Sequence, residues 1–108
     1  MTTPSGLSSA LHTDHYELTM LDAALRTGLA QHPVTFEVFT RRLPEWRAHG
    51  VFCGLGRLLD AVERFVFGPD EIDWLAQRGI VSPATLTWLD GRRFSGDVHA
   101  YAEGELYL

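Results

Sequence analysis

Between Gly68 and Gly91 the chain is punctuated twice by the same signals. "GPDEIDWLAQRG" places Pro69 at a first helical position and closes on Gly79; "SPATLTWLDG" offers Ser82 as cap, Pro83 next and Gly91 as stop. Proline's fixed φ suits a first helical turn, and glycine readily takes the left-handed conformation that ends one. Two short, tightly bracketed helices in succession do not fit the regular βαβ alternation of a doubly wound sheet.

The rest of the chain sorts around this pair. A helix is expected from Thr13 or Asp14 to Gly28. Asp14 and Glu17 sit at capping-box spacing there, and Leu18, Leu21 and Leu25 share one face with Ala24 beside them. "VTFEVFTRR" (34–42) alternates: Val34, Phe36 and Val38 on one side, Thr35, Glu37, Phe39 and Arg41 on the other, which predicts a strand. "LPEWRAHG" (43–50) reads as a loop. Residues 51–67 pass from a short extended start into a helix carrying Leu55, Leu58, Leu59, Val62 and Phe65. "SGDVHAYAEGELYL" (95–108) returns to period two, with Glu103-Gly104 as the turn between two strands. The fold class is therefore α+β. Residues 1–12, rich in Ser, Thr, Pro and Gly, read as a flexible arm, and 13–108 as one domain. The last strand stops on the apolar Leu108 without a polar tail, as expected of a chain cut short.

Composition narrows the function classes. Hydrophobic residues at 45% and charged residues at 21% suit a soluble globular domain. A net charge of -5 argues against a general nucleic-acid or anionic-membrane binder. A lone Cys53 allows no internal disulfide, and no two histidines stand four apart on a helix, as a helical metal site would need. The first residues lack the basic and apolar regions of a signal peptide, and no apolar run could span a bilayer, so a cytoplasmic protein is expected.

Four stretches could carry chemistry. In "TDHYELTM" (13–20), capping accounts for Asp14, while Tyr16 presents a flat ring at a helix start. That ring could pack and hydrogen-bond, or stack on an aromatic ligand, with the helix dipole favouring an anion nearby. In "FTRRLP", Arg41 and Arg42 point to opposite faces of a strand end. They are either a solvated pair or include one bidentate phosphate contact. The glycines of "FCGLGR" have neither phosphate-loop spacing and serve a strand-to-helix turn, leaving Arg57 exposed. Glu103 and Glu105 flank Gly104 and are explained by a tight turn; Cys53 reads as a packing residue.

Taken in order, "TDHYELTM", "FEVFTRRLPE", "VFCGLGRLLDAVERF" and "RFSGDVHAYAEGELY" resemble the N-terminal region of nicotinate phosphoribosyltransferases, in variants similar to those of actinobacterial members. The similarity runs from about Leu11 to Leu108. It implies the N-terminal domain of a type II phosphoribosyltransferase, its helices packed on a partly antiparallel sheet, with the α/β barrel absent from this chain. The implied reaction joins nicotinate to phosphoribosyl pyrophosphate in NAD salvage, driven by ATP hydrolysis and with Mg2+, in a homodimer. The resemblance makes Tyr16 the residue that stacks on the pyridine ring, in the neighbouring subunit's site. Asp14 organises the helix start or contacts ligand, and Arg41, or else Arg42, contacts phosphate. "AEG" at 102–104 stands where many relatives have P-E-G, so Glu103 receives no ligand role. The catalytic histidine lies in the barrel, and none of His12, His15, His32, His49 and His99 sits in its context. The 108-residue chain alone is therefore expected to be inactive. Two other readings remain open: a stand-alone dimerisation or regulatory module, and part of a nicotinamide-using relative.

Overall fold

The computed structural model describes residues 8–108. The elements in chain order are helix α1 (His15–Thr27), a 3-10 turn (Leu29–Gln31), strand β1 (Gly50–Val51), helices α2 (Leu55–Glu63), α3 (Pro69–Arg78) and α4 (Pro83–Leu89), and strand β2 (Leu106–Tyr107). The helix starts and stops follow the punctuation closely. Asp14 is the N-cap of α1, and its amide donates to Glu17 Oε2 at 3.0 Å. Gly28 and Gly79 close α1 and α3. Ser82 Oγ accepts from the Thr85 amide at 3.3 Å at the head of α4.

The core is helical. Ala10, Leu18, Phe67, Leu75, Val81 and Leu89 are buried together, flanked by half-buried Leu21, Phe65, Ile72, Leu86 and Trp88. α1 packs on α4 and α4 on α3. Burying a leucine such as Leu75 contributes about 1.5–3 kcal/mol. α2 contributes far less, because none of its residues is buried and Leu58 and Leu59 remain exposed.

A polar clamp fixes α1 against α4. Asp22 Oδ1 accepts from the Ser82 amide at 3.0 Å, from Ser82 Oγ at 2.8 Å and from Thr85 Oγ1 at 2.5 Å. Its other oxygen lies 3.5 Å from Arg26, and its side chain is only 14% exposed. Thr85 is itself buried. The three donors, Thr85 foremost, hold the Asp22 carboxyl down at about 2.

Several expectations need correction. Residues 34–42 form no strand, and among the described residues no backbone ladder reaches them. A strand needs a partner for its amides and carbonyls, and none is supplied here. Phe36 is left 89% exposed, and Val38 and Phe39 are exposed with it. The C-terminal stretch does turn at Glu103-Gly104, but it does not fold back on itself as two strands. β2 instead pairs antiparallel with β1, Gly50 opposite Tyr107 and Val51 opposite Leu106. The expected packing of helices on a sheet is replaced by helices packed on helices, with a two-stranded ladder beside them.

α2 stops at Glu63, before Phe65, because the next residues find backbone partners elsewhere. Val66 bridges Arg93, and Phe67 O accepts from the Gly91 amide at 2.8 Å. The arm expected over 1–12 lies partly outside the described residues. Its last part is packed: Ala10 is fully buried, Ser8 Oγ donates to Val66 O, and Ser9 Oγ donates to Ala61 O.

The radius of gyration is 16.9 Å, against about 13 Å for a compact domain of this length. Much apolar surface therefore stays open.

Because the folded pKa of Asp22 is depressed, its contribution is fully present above about pH 4 and is lost as pH falls toward about 2. Asp22→Asn should lower the melting temperature at neutral pH. The gap from the wild-type chain should close between pH 4 and 2 in a calorimetric series. A gap independent of pH across that window would mean the carboxylate charge does not hold α1 to α4.

Candidate functional site

α1 presents its first turn to solvent. Leu18 and Leu21 turn the apolar face of the helix inward, which leaves Tyr16 at 58% exposure and Asp14 exposed beside it. Thr19 Oγ1 donates to the Tyr16 carbonyl at 3.0 Å. No hydrogen bond among the described residues engages the Tyr16 hydroxyl, and more than half of the residue stays open to solvent. Glu17 Oε2 takes both the Asp14 amide and the Thr13 hydroxyl. An apolar cavity of about 340 Å³ opens beside this helix start, lined by Leu18, Leu21, Phe65, Trp88 and Phe94 among others, and Tyr16 does not line it.

Charge decides what the helix start can bind. The dipole of a helix favours an anion at its N-terminus by about 0.3–1 kcal/mol. Here two carboxylates, Asp14 and Glu17, already stand at that end, and one of them occupies an amide. A further free anion is therefore not favoured there. What the turn offers is the open face of Tyr16, suited to stacking on a flat ring.

Arg41 and Arg42 are both exposed, in the stretch expected to be a strand. No hydrogen bond or ion pair among the described residues joins either to Asp14 or Tyr16. The structure thus brings Asp14 and Tyr16 onto one turn and leaves Arg41 on a separate segment. That segment is held through its neighbour: Thr40 Oγ1 lies 2.8 Å from the Tyr107 hydroxyl.

The residue that sequence reasoning undervalued is Glu103. Its carboxylate accepts from the Gly54 amide at 2.8 Å and the Leu55 amide at 3.1 Å, capping α2 from 48 residues away. Gly54 is the N-cap of α2 at φ 96 and has no side chain with which to cap, so the missing acceptor comes from the far turn. These two amides lower the pKa of Glu103. The Gly104 amide donates to Phe52 O at 2.7 Å, and the Phe52 amide donates to Glu105 O at 2.8 Å, so the turn and the β1–α2 junction form one unit. A glycine N-cap with no capping side chain was the available signal. Cys53 is exposed, not packed as its surroundings suggested. Arg57 is exposed, as expected.

Among the described residues no group of three His, Cys, Asp or Glu side chains could hold a metal ion, and no helix is long and apolar enough to cross a membrane.

Residues 11–108 match the family described as the nicotinate phosphoribosyltransferase (NAPRTase) N-terminal domain. The chain is 56% identical over 100 residues to nicotinate phosphoribosyltransferase pncB1 of Mycobacterium tuberculosis, which covers 93% of this chain and 22% of that protein. It is 39% identical over 95 residues to pncB2 of the same organism, covering 88% of this chain and 20% of the relative. The nicotinate phosphoribosyltransferase of Bacillus subtilis is 35% identical over 68 residues, 63% of this chain and 14% of the relative. The chain thus spans about a fifth of the length of its mycobacterial relatives. No solved structure matches it.

Glu103→Ala should fray the first turn of α2. The Gly54 and Leu55 amides should lose protection in hydrogen exchange while amides of α3 and α4 keep theirs. In the wild-type chain the same loss should appear on acidification below the ordinary carboxylate range, because the depressed pKa confines the contribution to higher pH. Unchanged protection in Glu103→Ala would show that α2 starts without this cap.

Proposed function

Because the chain belongs to the nicotinate phosphoribosyltransferase family, we propose that it supplies the N-terminal part of an enzyme that makes nicotinate mononucleotide. The substrates are nicotinate and phosphoribosyl pyrophosphate, with ATP hydrolysis and Mg2+ assisting, in the cytoplasm. In this reading Mg2+ and ATP serve the complete enzyme and are held by the remaining four-fifths of it. That remainder is the α/β barrel of a type II phosphoribosyltransferase, which also carries the chemical step. The 108 residues alone do not turn over substrate.

The observation that carries this reading is the open ring of Tyr16 on the first turn of α1, within the matched region. In the whole enzyme Tyr16 stacks on the pyridine ring of nicotinate. Asp14 fixes the helix start that presents it. The anionic character of that start sends the nicotinate carboxylate to cationic groups elsewhere. Arg41, exposed and unpaired with any carboxylate among the described residues, contacts a phosphate of phosphoribosyl pyrophosphate. The enzyme works as a homodimer in which Tyr16 enters the partner's site.

The test uses a full-length enzyme in which this region replaces the matching 100 residues of the 56% identical mycobacterial relative. Tyr16→Phe should be mild. Tyr16→Ala should weaken nicotinate binding by about 1 kcal/mol or somewhat more, the stacking contribution. Mixing Tyr16→Ala chains with chains whose barrel is disabled should restore activity above either parent. In such a mixed dimer one site carries both defects and the other carries neither. Full activity of Tyr16→Ala would remove Tyr16 from the site; no recovery in proven mixed dimers would confine it to its own subunit.

A further inference from the structure

Residues 33–42 carry Arg41 and lie exposed, without a backbone partner among the described residues. One hydrogen bond described for this stretch ties it to the rest of the chain, that between Thr40 Oγ1 and the Tyr107 hydroxyl, 2.8 Å apart. The far end of that bond is well anchored. Tyr107 pairs with Gly50 in the ladder, and its ring lies so close over Gly50 that a Cβ there would come within 2.6 Å of the hydroxyl oxygen. The ring of Tyr101 lies parallel to that of Tyr107, centroids 6.3 Å apart and planes 8° apart. Gly50 is buried beneath it. The ladder is tied in turn to the α2 start through Phe52, Gly104 and Glu103. The ring is thus braced by a bare glycine and an aromatic neighbour, and its hydroxyl ends on the residue next to Arg41.

We infer that Tyr107 is a positioning residue for Arg41: its hydroxyl latches Thr40 and fixes the guanidinium that the proposed reaction uses on phosphate. The inference rests on the functional reading of Arg41 given above, although the latch itself does not. A segment without ladder hydrogen bonds moves on a fast timescale unless something holds it. Thr40 is the held point, so Arg41 is ordered beside it while Phe36 and Val38 are free of such restraint. Tyr107 acts on Arg41 through Thr40.

Two measurements separate the latch from its use. In the 108-residue chain, NMR backbone order parameters at Thr40–Arg42 should be near the rigid value of about 0.85 and fall below about 0.6 in Tyr107→Phe. Thr40→Val, which keeps the shape and loses the hydroxyl, should do the same, whereas Thr40→Ser should retain the rigid value. Order in α3 and α4 should not change. Unchanged order at Thr40–Arg42 in Tyr107→Phe would overturn the latch. In the full-length chimera, Tyr107→Phe should raise the KM for phosphoribosyl pyrophosphate roughly three- to tenfold, the loss of one hydrogen bond, with kcat kept. It should add little to Arg41→Ala. Additive effects of the two substitutions would overturn the positioning role. If Arg41→Ala leaves that KM unchanged, the phosphate reading of Arg41 fails and the positioning role fails with it, while the order parameters still decide the latch.

Discussion

Asp22 joins parts of the chain that are sixty residues apart in sequence. Its carboxylate gathers the amide and hydroxyl of Ser82 and the hydroxyl of Thr85, and so sets α1 against the head of α4. Apolar burial supplies the attraction between these helices, but burial has no direction. Three hydrogen bonds to one charged group do have direction, and they choose the rotation of α1. With Leu18 turned inward, the first turn of the helix points outward with Tyr16 on it. The candidate ligand face is therefore a consequence of how the core is assembled.

The second half of the chain is organised by backbone supply and demand. α2 begins at a glycine that cannot cap it, and Glu103 provides the acceptor from the far turn. The same turn aligns β2 on β1. Residues 34–42 have the alternation of a strand and no ladder partner among the described residues, and their apolar side chains face solvent. Exposed apolar runs of this kind are candidate interaction surfaces. A radius of gyration well above that of a compact domain fits a region whose matched stretch is about a fifth of its mycobacterial relatives.

Much of this was legible in the residues. Pro69, Pro83, Gly28 and Gly79 placed helix ends correctly because capping chemistry is local and needs no tertiary partner. The Asp14 and Glu17 spacing located the start of α1 for the same reason. Strand expectations fared worse at 34–42 and in the stretch from 95 to the Glu103-Gly104 turn, since a strand exists only through a neighbour that period two does not name. The partnerships of Glu103 with Gly54 and of Asp22 with Ser82 span about half the chain; a glycine N-cap signals that α2 needs an acceptor from elsewhere, but nothing local names the residue that supplies it. Of the candidate site residues, Tyr16 and Asp14 share a turn as their spacing requires. The separation of Arg41 from them could not be read from the sequence.

The central claim is that the exposed ring of Tyr16 is a stacking platform for a pyridine ring. It is tested most directly by NMR of the full-length chimera carrying a ring-labelled tyrosine at position 16, titrated with nicotinate. Stacking predicts that the Tyr16 ring resonances shift on saturation, with nicotinate ring protons moving upfield under the tyrosine ring current. Saturating nicotinate with turnover intact and no change in the Tyr16 resonances would contradict the account.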